Sequence, residues 1–306
     1  IVVAPGKRRR TEVPSGRWPS GDKATINVEV INGARPGPGL WLSAAIHGDE
    51  VMGVEILNRV LKRISPETLR GHVIAVPIVN VFGFSAGSRY LPDRRDLNRV
   101  FPGSAKGSLA SRIAHLFMIE VVHHCDYGID FHAGSDDRTN LPQVRANLDD
   151  PQTVEMATAF AAPISLHGKN IRGSLRSAST ALDKRVIVVE GGEPRRFDPA
   201  SVTIGVPGVL RVMRKLGMRA SAPRAKVSTP RVSRKTKWVR AERGGILWPE
   251  VGNGDIVERR QTLGVITDPH GGQGVTVRAS TAGMVIGHTV NPLVFQGAAL
   301  FHIATL

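Results

Sequence analysis

The sequence has one cysteine, Cys125, among 306 residues. A disulfide framework needs pairs of cysteines and a cysteine-based zinc site needs several thiolates, so both are excluded. Because disulfides are rare in reducing compartments, this composition favours a cytoplasmic protein. No apolar run approaches the ~20 residues that a membrane-spanning helix requires, so no membrane segment is predicted.

Aromatic residues are also scarce, with two Tyr and four Trp in the chain. The formal net charge is +15, which by itself invites a nucleic-acid partner. However, much of the charge lies in "GKRRR" near the start and in residues 219–237, which resemble a tail and a connector. No stretch interleaves aromatic with basic residues as base-stacking surfaces do. We therefore expect a solvated basic surface and no nucleic-acid partner.

Apolar, β-branched runs alternate with helical patterns over residues 24–215. This alternation predicts an α/β fold, with a mixed, mostly parallel sheet that carries helices on both faces. Short strands separated by Gly, Asp, Asn and Pro then predict a small C-terminal all-β sandwich module. The expected domains are 1–217, a basic linker at 218–237, and the β module at 238–306. Exposed apolar β surface in this module could support a homo-oligomer.

Polar side chains stand at the ends of three predicted strands. His47 and Glu50 follow "LSAAI", His132 follows "YGIDF", and Glu190 follows "RVIVV". In open α/β sheets, ligands collect beyond the carboxyl ends of the strands. Two His and one Glu supply the three nitrogen and oxygen ligands of a hydrolytic zinc, so His47, Glu50 and His132 are the candidate metal ligands.

Neighbouring acidic residues have supporting roles in this prediction. Asp130 lies two residues before His132 and could accept a hydrogen bond from that imidazole. Asp49 is expected to cap the following helix and not to bind metal. His270, His288 and His302 belong to the β module and are given no role.

Four motifs occur in a specific order: "HGDE", "SRYLPDRRDLNRVFPG", "DFHAG" and "VVEGGEP". Over roughly residues 24–215 the chain resembles the succinylglutamate desuccinylase/aspartoacylase family, a branch of the zinc-carboxypeptidase-like hydrolases. The β module also fits that family's C-terminal lobe. The resemblance implies one Zn²⁺ per chain, held by His47, Glu50 and His132.

The resemblance also implies roles for other residues. Glu190 matches the catalytic carboxylate, which takes a proton from the attacking water and returns it to the leaving amine. Arg89 matches a basic residue that stabilises the oxyanion. Asn98 and Arg99 stand where the family binds the substrate carboxylate, and Arg145 is a further pocket residue on a looser match.

Three other functions fit the sequence less well. "GFSAG" around Ser85 matches the nucleophile-elbow pattern of serine hydrolases, but no helical pattern follows it. The β module resembles a biotinyl/lipoyl carrier, but no lysine follows Lys237 to receive the cofactor. A metal-binding protein without activity would not need Glu190 as a second carboxylate.

The sequence thus predicts a zinc-dependent deacylase that cleaves the acyl-amide bond of an N-acylated amino acid or a similar small carboxylated substrate. A zinc metallo-exopeptidase is the alternative, because the leaving amine is not fixed by the motifs. The segment "YLPDRRDL" is longer than its counterpart in the aspartoacylases, so the acyl group of the substrate is left open.

Overall fold

A computed structural model describes residues 2–225, 230–272 and 274–306. The helices are α1 (Met52–Leu61), α2 (Val81–Ser85), α3 (Leu109–Glu120), α4 (Pro151–Phe160), α5 (Leu175–Thr180) and α6 (Pro199–Lys215). The first nine strands are β1 (Lys7–Arg17), β2 (Lys23–Asn32), β3 (Arg35–Ala44), β4 (Arg70–Val76), β5 (Tyr127–His132), β6 (Arg138–Ala146), β7 (Ile164–His167), β8 (Arg185–Gly192) and β9 (Arg231–Ser233). The later strands are β10 (Thr236–Arg240), β11 (Gly245–Pro249), β12 (Ile256–Val257), β13 (Thr262–Thr267), β14 (Val275–Arg278), β15 (Gly283–Thr289), β16 (Leu293–Val294) and β17 (Ala299–Ala304).

Four neighbouring parallel strands form the centre of the larger sheet. β3 pairs in parallel with β4 and with β5, and β5 pairs in parallel with β8. β2 and β6 run antiparallel on either side of this group. The predicted mixed sheet is confirmed, and its parallel centre brings the carboxyl ends of β3, β5 and β8 to one edge.

Alternate residues of β3 point to two different hydrophobic cores. Leu40 and Leu42 pack with side chains of α1, α4 and α6 on one face of the sheet. Trp41 packs with side chains of α3 on the other face. This period-two alternation, with both faces buried, explains why β3 reads as an unbroken apolar run. The predicted helices on both faces are therefore confirmed.

The basic "GKRRR" segment was expected to be a tail, and this expectation is wrong. Lys7–Arg17 is an edge strand paired antiparallel with β2. Glu29 of β2 accepts hydrogen bonds from Arg8 at 3.1 Å and from Arg10 at 2.7 Å. The strand escaped prediction because most of its side chains are exposed, so its residues show little apolar alternation.

The C-terminal strands extend the larger sheet and also build a second one. β15 pairs with β6 and with β17, and β17 pairs with β10. A separate four-stranded sheet has the order β14-β13-β11-β16. Exposed apolar residues of this part include Trp248, Leu293 and Phe295, and the expected homo-oligomer stays a prediction.

The predicted basic linker carries regular structure. β9 pairs in parallel with β7, and β10 begins at Thr236, so residues 231–233 and 236–237 are strands of the larger sheet. Residues 226–229 lie outside the described part. The proposed division into domains stays a prediction. None of the described helices combines the length and the apolar character needed to cross a bilayer.

Candidate metal centre and active site

His47, Glu50 and His132 converge at the carboxyl ends of β3 and β5. Nδ1 of His47 lies 2.7 Å from Glu50 Oε1, and Nδ1 of His132 lies 2.8 Å from Glu50 Oε2. The two Nδ1 atoms are 3.2 Å apart. All three residues are buried, and one ligand atom from each lies within 4.8 Å of the others.

A carboxylate supports each imidazole from its opposite nitrogen. Asp96 Oδ1 lies 3.1 Å from His47 Nε2, and Asp130 Oδ2 lies 2.8 Å from His132 Nε2. Ser43 donates a hydrogen bond of 2.8 Å to the other oxygen of Asp130. Because the Nε2 atom of each ring lies at a carboxylate, the Nδ1 atom of each ring is turned toward Glu50.

Two imidazole nitrogens and a carboxylate converge on one point, an arrangement that can hold a cation. Burial lowers the pKa of His47, but the charge of Glu50 and a hydrogen bond to Asp96 outweigh burial and raise it. The pKa of His132 is likewise lowered by burial but held well above its usual range by Asp130 and Glu50. Two nitrogen donors and one oxygen donor suit a divalent zinc-type ion, so the residues present fit a metal.

The turn after β3 depends on a close backbone approach at Gly48. A Cβ there would lie 2.0 Å from the carbonyl carbon of Gly83, so a larger residue would displace the turn. Glu50 N–H donates to the His47 carbonyl at 3.1 Å, which folds both ligands onto one side. The local sequence His-Gly-x-Glu therefore fixes the separation of the two ligands.

Asp49 does not cap helix α1, and that prediction is wrong. Val51 occupies the N-cap position without a side-chain hydrogen bond. Asp49 instead belongs to the turn itself, where its carbonyl accepts from Arg195 N–H at 2.7 Å. Its Oδ1 is buried without a hydrogen-bond partner among the described residues, and burial raises the pKa of its carboxyl.

Glu190 lies near the end of β8, directly opposite His132 in the register of β5 and β8. Asn140 donates a hydrogen bond of 2.8 Å to Glu190 Oε2, and Arg145 Nη1 lies 3.5 Å from Oε1. Both partners come from the neighbouring strand β6. The carboxylate thus faces the pocket while one amide and one guanidinium fix its orientation.

Arg89 lies beside the metal cluster. Its Nη1 donates to Glu50 Oε1 at 3.3 Å and to the hydroxyl of Ser135, and its Nη2 donates to Asp96 at 2.8 Å. Ser135 in turn donates to Glu50 at 2.5 Å. These contacts hold a cationic donor next to the point at which the ligands converge.

Asn98 and Arg99 stand on a short 3₁₀ turn at the pocket. Asn98 accepts a hydrogen bond of 2.8 Å from the backbone N–H of Leu175, and Arg99 Nη1 donates to the Asn98 carbonyl at 2.7 Å. Asp96 accepts from Asn98 N–H at 2.8 Å. The turn therefore links the carboxylate that supports His47 to the two predicted substrate-binding residues.

One cavity of about 460 Å³ contains the whole constellation. The predicted site residues that line it are His47, Glu50, Arg89, Asn98, Arg99, Asp130, His132, Arg145 and Glu190. Lining residues that sequence reasoning missed include Asp96, Ser135, Arg138, Asn140, Arg176 and Trp238. Asp96 lies within the quoted motif "DRRDLNR", next to the predicted Asn98, and that proximity was the one available signal for it.

Arg176 is the most unusual of the missed residues. Its side chain is buried at 9% exposure, with Nη2 donating to the Lys169 carbonyl at 2.6 Å. Its Nη1 is buried without a partner among the described residues. Burial, and then the charge of Arg145, lower the pKa of Arg176 to about 10. A buried guanidinium with an unused donor suits an incoming anion.

Ser85 is not placed as a nucleophile. It ends the short helix α2, and its hydroxyl donates to the Val81 carbonyl of the same helix at 2.9 Å. A nucleophile elbow would need the serine on the turn between a strand and a helix. At the expected carrier position, "TDPHGG" connects β13 to β14 without a lysine.

Several known proteins resemble this chain in sequence. The family profile described as the succinylglutamate desuccinylase/aspartoacylase catalytic domain matches residues 36–216. The N-alpha-acetyl-L-2,4-diaminobutyric acid deacetylase of Halomonas elongata is 29% identical over 257 residues, covering 79% of this chain and 74% of the relative. A succinylglutamate desuccinylase of Pseudomonas aeruginosa is 32% identical over 101 residues, covering 31% of this chain and 29% of the relative.

Solved structures show the same fold. A succinylglutamate desuccinylase/aspartoacylase from Rhodobacter sphaeroides superposes with a TM-score of 0.89 at 24% identity, covering 99% of this chain and 97% of that one. The product-bound ectoine utilization protein EutE (DoeB) from Ruegeria pomeroyi has a TM-score of 0.88 at 25% identity, covering 100% and 98%. With the profile matching more than half of its length, the chain belongs to the succinylglutamate desuccinylase/aspartoacylase family.

Proposed function

We propose that this protein is a zinc-dependent deacylase that hydrolyses the acyl-amide bond of an N-acylated amino acid. The observation that carries the proposal is the buried cluster of two imidazoles and one carboxylate, which shares a single cavity with Glu190 and several arginines. A structural metal site would be closed by protein ligands, whereas three ligands beside an open cavity are typical of hydrolytic sites.

The ion would be held by His47, Glu50 and His132. When bound, a divalent cation at such a site supplies Lewis acidity and lowers the pKa of water to about 7. Nitrogen and carboxylate donors of this kind favour zinc, and Asp96 and Asp130 fix the ring orientations. The hydrogen bonds to these carboxylates also make each imidazole a more basic metal ligand.

Glu190 would act as the general base and then as the general acid. Its carboxylate accepts a proton from the attacking water and returns it to the leaving amine. The hydrogen bond from Asn140 occupies Oε2 and leaves Oε1 beside Arg145 at 3.5 Å. Because Arg145 is no closer than this, Oε1 of Glu190 stays available to accept the proton from water.

Arginines would bind the charges of the substrate. Arg89, next to the cluster, would stabilise the oxyanion that forms from the amide carbonyl. Arg176, with its unpartnered Nη1, would bind the α-carboxylate of the amino acid together with Asn98 and Arg99. Arg145 would line the same side of the pocket and orient Glu190.

The test compares hydrolysis of N-acetyl and N-succinyl amino acids with hydrolysis of dipeptides. Each substrate is assayed with the metal-loaded protein, the chelator-stripped protein, and the stripped protein after addition of zinc. We expect hydrolysis of N-acyl amino acids that disappears with the metal and returns with zinc. Activity that survives complete removal of the metal contradicts the proposal, and cleavage of dipeptides alone supports the exopeptidase alternative.

A further inference from the structure

Glu190 is held from β6 by two residues that an unbroken strand would not place together. Asn140 donates to Glu190 Oε2 at 2.8 Å, and Arg145 Nη1 lies 3.5 Å from Oε1. The two residues are an odd number of positions apart, so regular alternation would direct their side chains to opposite faces of the sheet. Both nevertheless line the cavity that Glu190 faces.

A β-bulge in β6 accounts for this arrangement. Asn140 is opposite Gly192 of β8. Gln143 is opposite Glu190, so the step from 140 to 143 on β6 matches the shorter step from 192 to 190 on β8. An extra residue of this kind re-aims the side chains beside it. The bulge therefore brings Asn140 to the same face as Arg145.

The C-terminal strand β15 lies against β6 at this bulge. In the order of the larger sheet, β6 stands between β8 and β15. Gly287 of β15 pairs with Asn140 in antiparallel register. The buried Gln143 donates a hydrogen bond of 2.9 Å to the carbonyl of Ile286 on the same strand. β15 thus contacts β6 at both ends of the bulge.

Asn140 packs directly on the backbone of Gly287. The Asn140 side chain is buried, and a Cβ at Gly287 would lie 2.7 Å from its Oδ1. A methyl group at that position would have to displace the Asn140 amide. Gly287 is not among the glycines with positive φ, so glycine is needed here for space and not for backbone freedom.

We infer that β15 positions the carboxylate of Glu190, because Gly287 holds Asn140 and Asn140 orients Glu190. This inference rests on the proposed function, in which Glu190 transfers the proton, and it adds two positioning residues. The C-terminal strands then take part in catalysis, although none of the candidate metal ligands comes from them. A carboxylate that is free to rotate is less often aligned with the attacking water, so loss of the contact lowers kcat.

The first test removes the hydrogen bond to Glu190. Asn140→Ala should lower kcat about 10- to 100-fold, the range of a hydrogen bond to a charged group, with little change in KM. Asn140→Asp keeps the size of the side chain but places a second carboxylate beside Glu190. The acidic limb of the pH–kcat profile should therefore move to higher pH. A merely structural role of Asn140 would leave that limb in place.

The second test acts from β15 without changing a residue that contacts Glu190. Gly287→Ala should lower kcat about tenfold while the metal content stays that of the wild type. The double variant with Asn140→Ala should be no slower than Asn140→Ala alone, because the added methyl group acts through the amide that the second substitution removes. Two effects on kcat that multiply would show that Gly287 does not act through Asn140.

Matched controls are available in the same chain. Gly252→Ala adds a methyl group to a glycine of the C-terminal part that has open space around it. Asn58→Ala removes an exposed amide of α1. Both controls should keep the wild-type kcat and pH profile. Wild-type kcat in Asn140→Ala or in folded Gly287→Ala overturns the inference while leaving the deacylase proposal intact.

Crystal structures distinguish this failure from that of the proposed function. If the wild type hydrolyses no N-acyl amino acid, the proposed function fails, and structures of the wild type and Gly287→Ala still test the link from β15 to Glu190. In the variant, the distance from Asn140 Nδ2 to Glu190 Oε2 should increase from 2.8 Å to more than about 3.5 Å, where no hydrogen bond forms. An unchanged contact overturns the inference. If Gly287→Ala does not fold, the pH profile of Asn140→Asp decides.

Discussion

The two sides of the active-site cavity satisfy their polar groups in different ways. On the metal side, each imidazole of His47 and His132 has a carboxylate at Nε2 and Glu50 at Nδ1. On the arginine side, Arg145 Nε and Arg176 Nη1 are buried without partners among the described residues. The protein's own carboxylates prearrange the first side for a cation. The second side is left with donors that an anion from solution can satisfy.

The difference between the two sides explains why the site contains many acidic and basic residues whose charges are not all paired. Asp96 contacts both His47 and Arg89, so the metal side and the oxyanion donor share one carboxylate. Burial opposes the ionisation of Asp96, but His47 and Arg89 lower the pKa of its carboxyl far below its usual value. Arg176 forms no ion pair among the described residues, although the charge of Glu190 raises its pKa and partly offsets burial and Arg145. Its guanidinium is therefore left to bind an anionic group of the substrate.

Removing a ligand should have the largest effect. His132→Ala takes away one of the three proposed metal donors. We expect the loss of activity to reach about 10⁴-fold, because water activation and carbonyl polarisation would both depend on the ion. Asp130→Asn leaves the ligand in place and weakens its support, so metal affinity should fall only about 10- to 100-fold. Metal content by mass spectrometry and kcat measured on the same samples check both. A His132→Ala protein that keeps its metal and its turnover contradicts the assigned site.

Glu190→Gln should have the next largest effect. The amide keeps the size of the side chain but cannot accept the proton, so kcat should fall about 10²- to 10⁴-fold. Metal content should remain that of the wild type, because Glu190 does not belong to the cluster. Glu193→Gln, three residues further on and outside this cavity, is the matched control and should keep the wild-type kcat. Wild-type turnover by Glu190→Gln would remove its role as the base.

The metal side could be predicted from the sequence because its information is local. Apolar runs identify β3, β5 and β8, and each run ends in a chemically distinctive residue: His47, His132 or Glu190. Parallel pairing then brings those ends together without knowledge of any side-chain contact. The tight His-Gly-x-Glu turn adds Glu50. The positions of the strand ends were therefore sufficient to predict that these side chains converge, and their roles stay a prediction.

The arginine side could not be predicted in the same way because its contacts are distant in sequence. Arg176 looks like any arginine of a short helix until burial leaves its Nη1 without a partner. Trp238 and His302 meet through the pairing of β10 with β17, and Arg138 joins them from β6. Nothing in the residues flanking Trp238 or His302 indicates that these two side chains meet.

Arg176→Gln tests the arginine side directly. Losing a charge-assisted contact to the α-carboxylate should raise KM about 10- to 100-fold, with a smaller change in kcat. The same substitution removes a buried cation without a carboxylate partner, so the melting temperature should stay the same or rise. Asp130→Asn, which breaks a satisfied contact on the metal side, should lower it. A wild-type KM, or a lower melting temperature in Arg176→Gln, would show that Arg176 is structural.

The smallest expected effect concerns His302, whose neutral ring lies beside the arginine side. The pKa of His302 is lowered to about 3 in the folded protein, so between that value and its ordinary 6.5 only the unfolded chain binds the proton. The contribution of His302 to the free energy of unfolding is therefore constant above about pH 6.5 and falls as the pH decreases toward 3. Lowering the pH from 7 to 5 should cost about 2 kcal/mol from this residue, at 1.36 kcal/mol per pKa unit. His302→Phe keeps an aromatic ring on Trp238 and removes this cost, whereas His270→Phe at an exposed hairpin tip should behave as the wild type does. Urea unfolding at both pH values measures the difference. Equal losses in wild type and His302→Phe would show that burial and the neighbouring arginines do not keep this ring neutral.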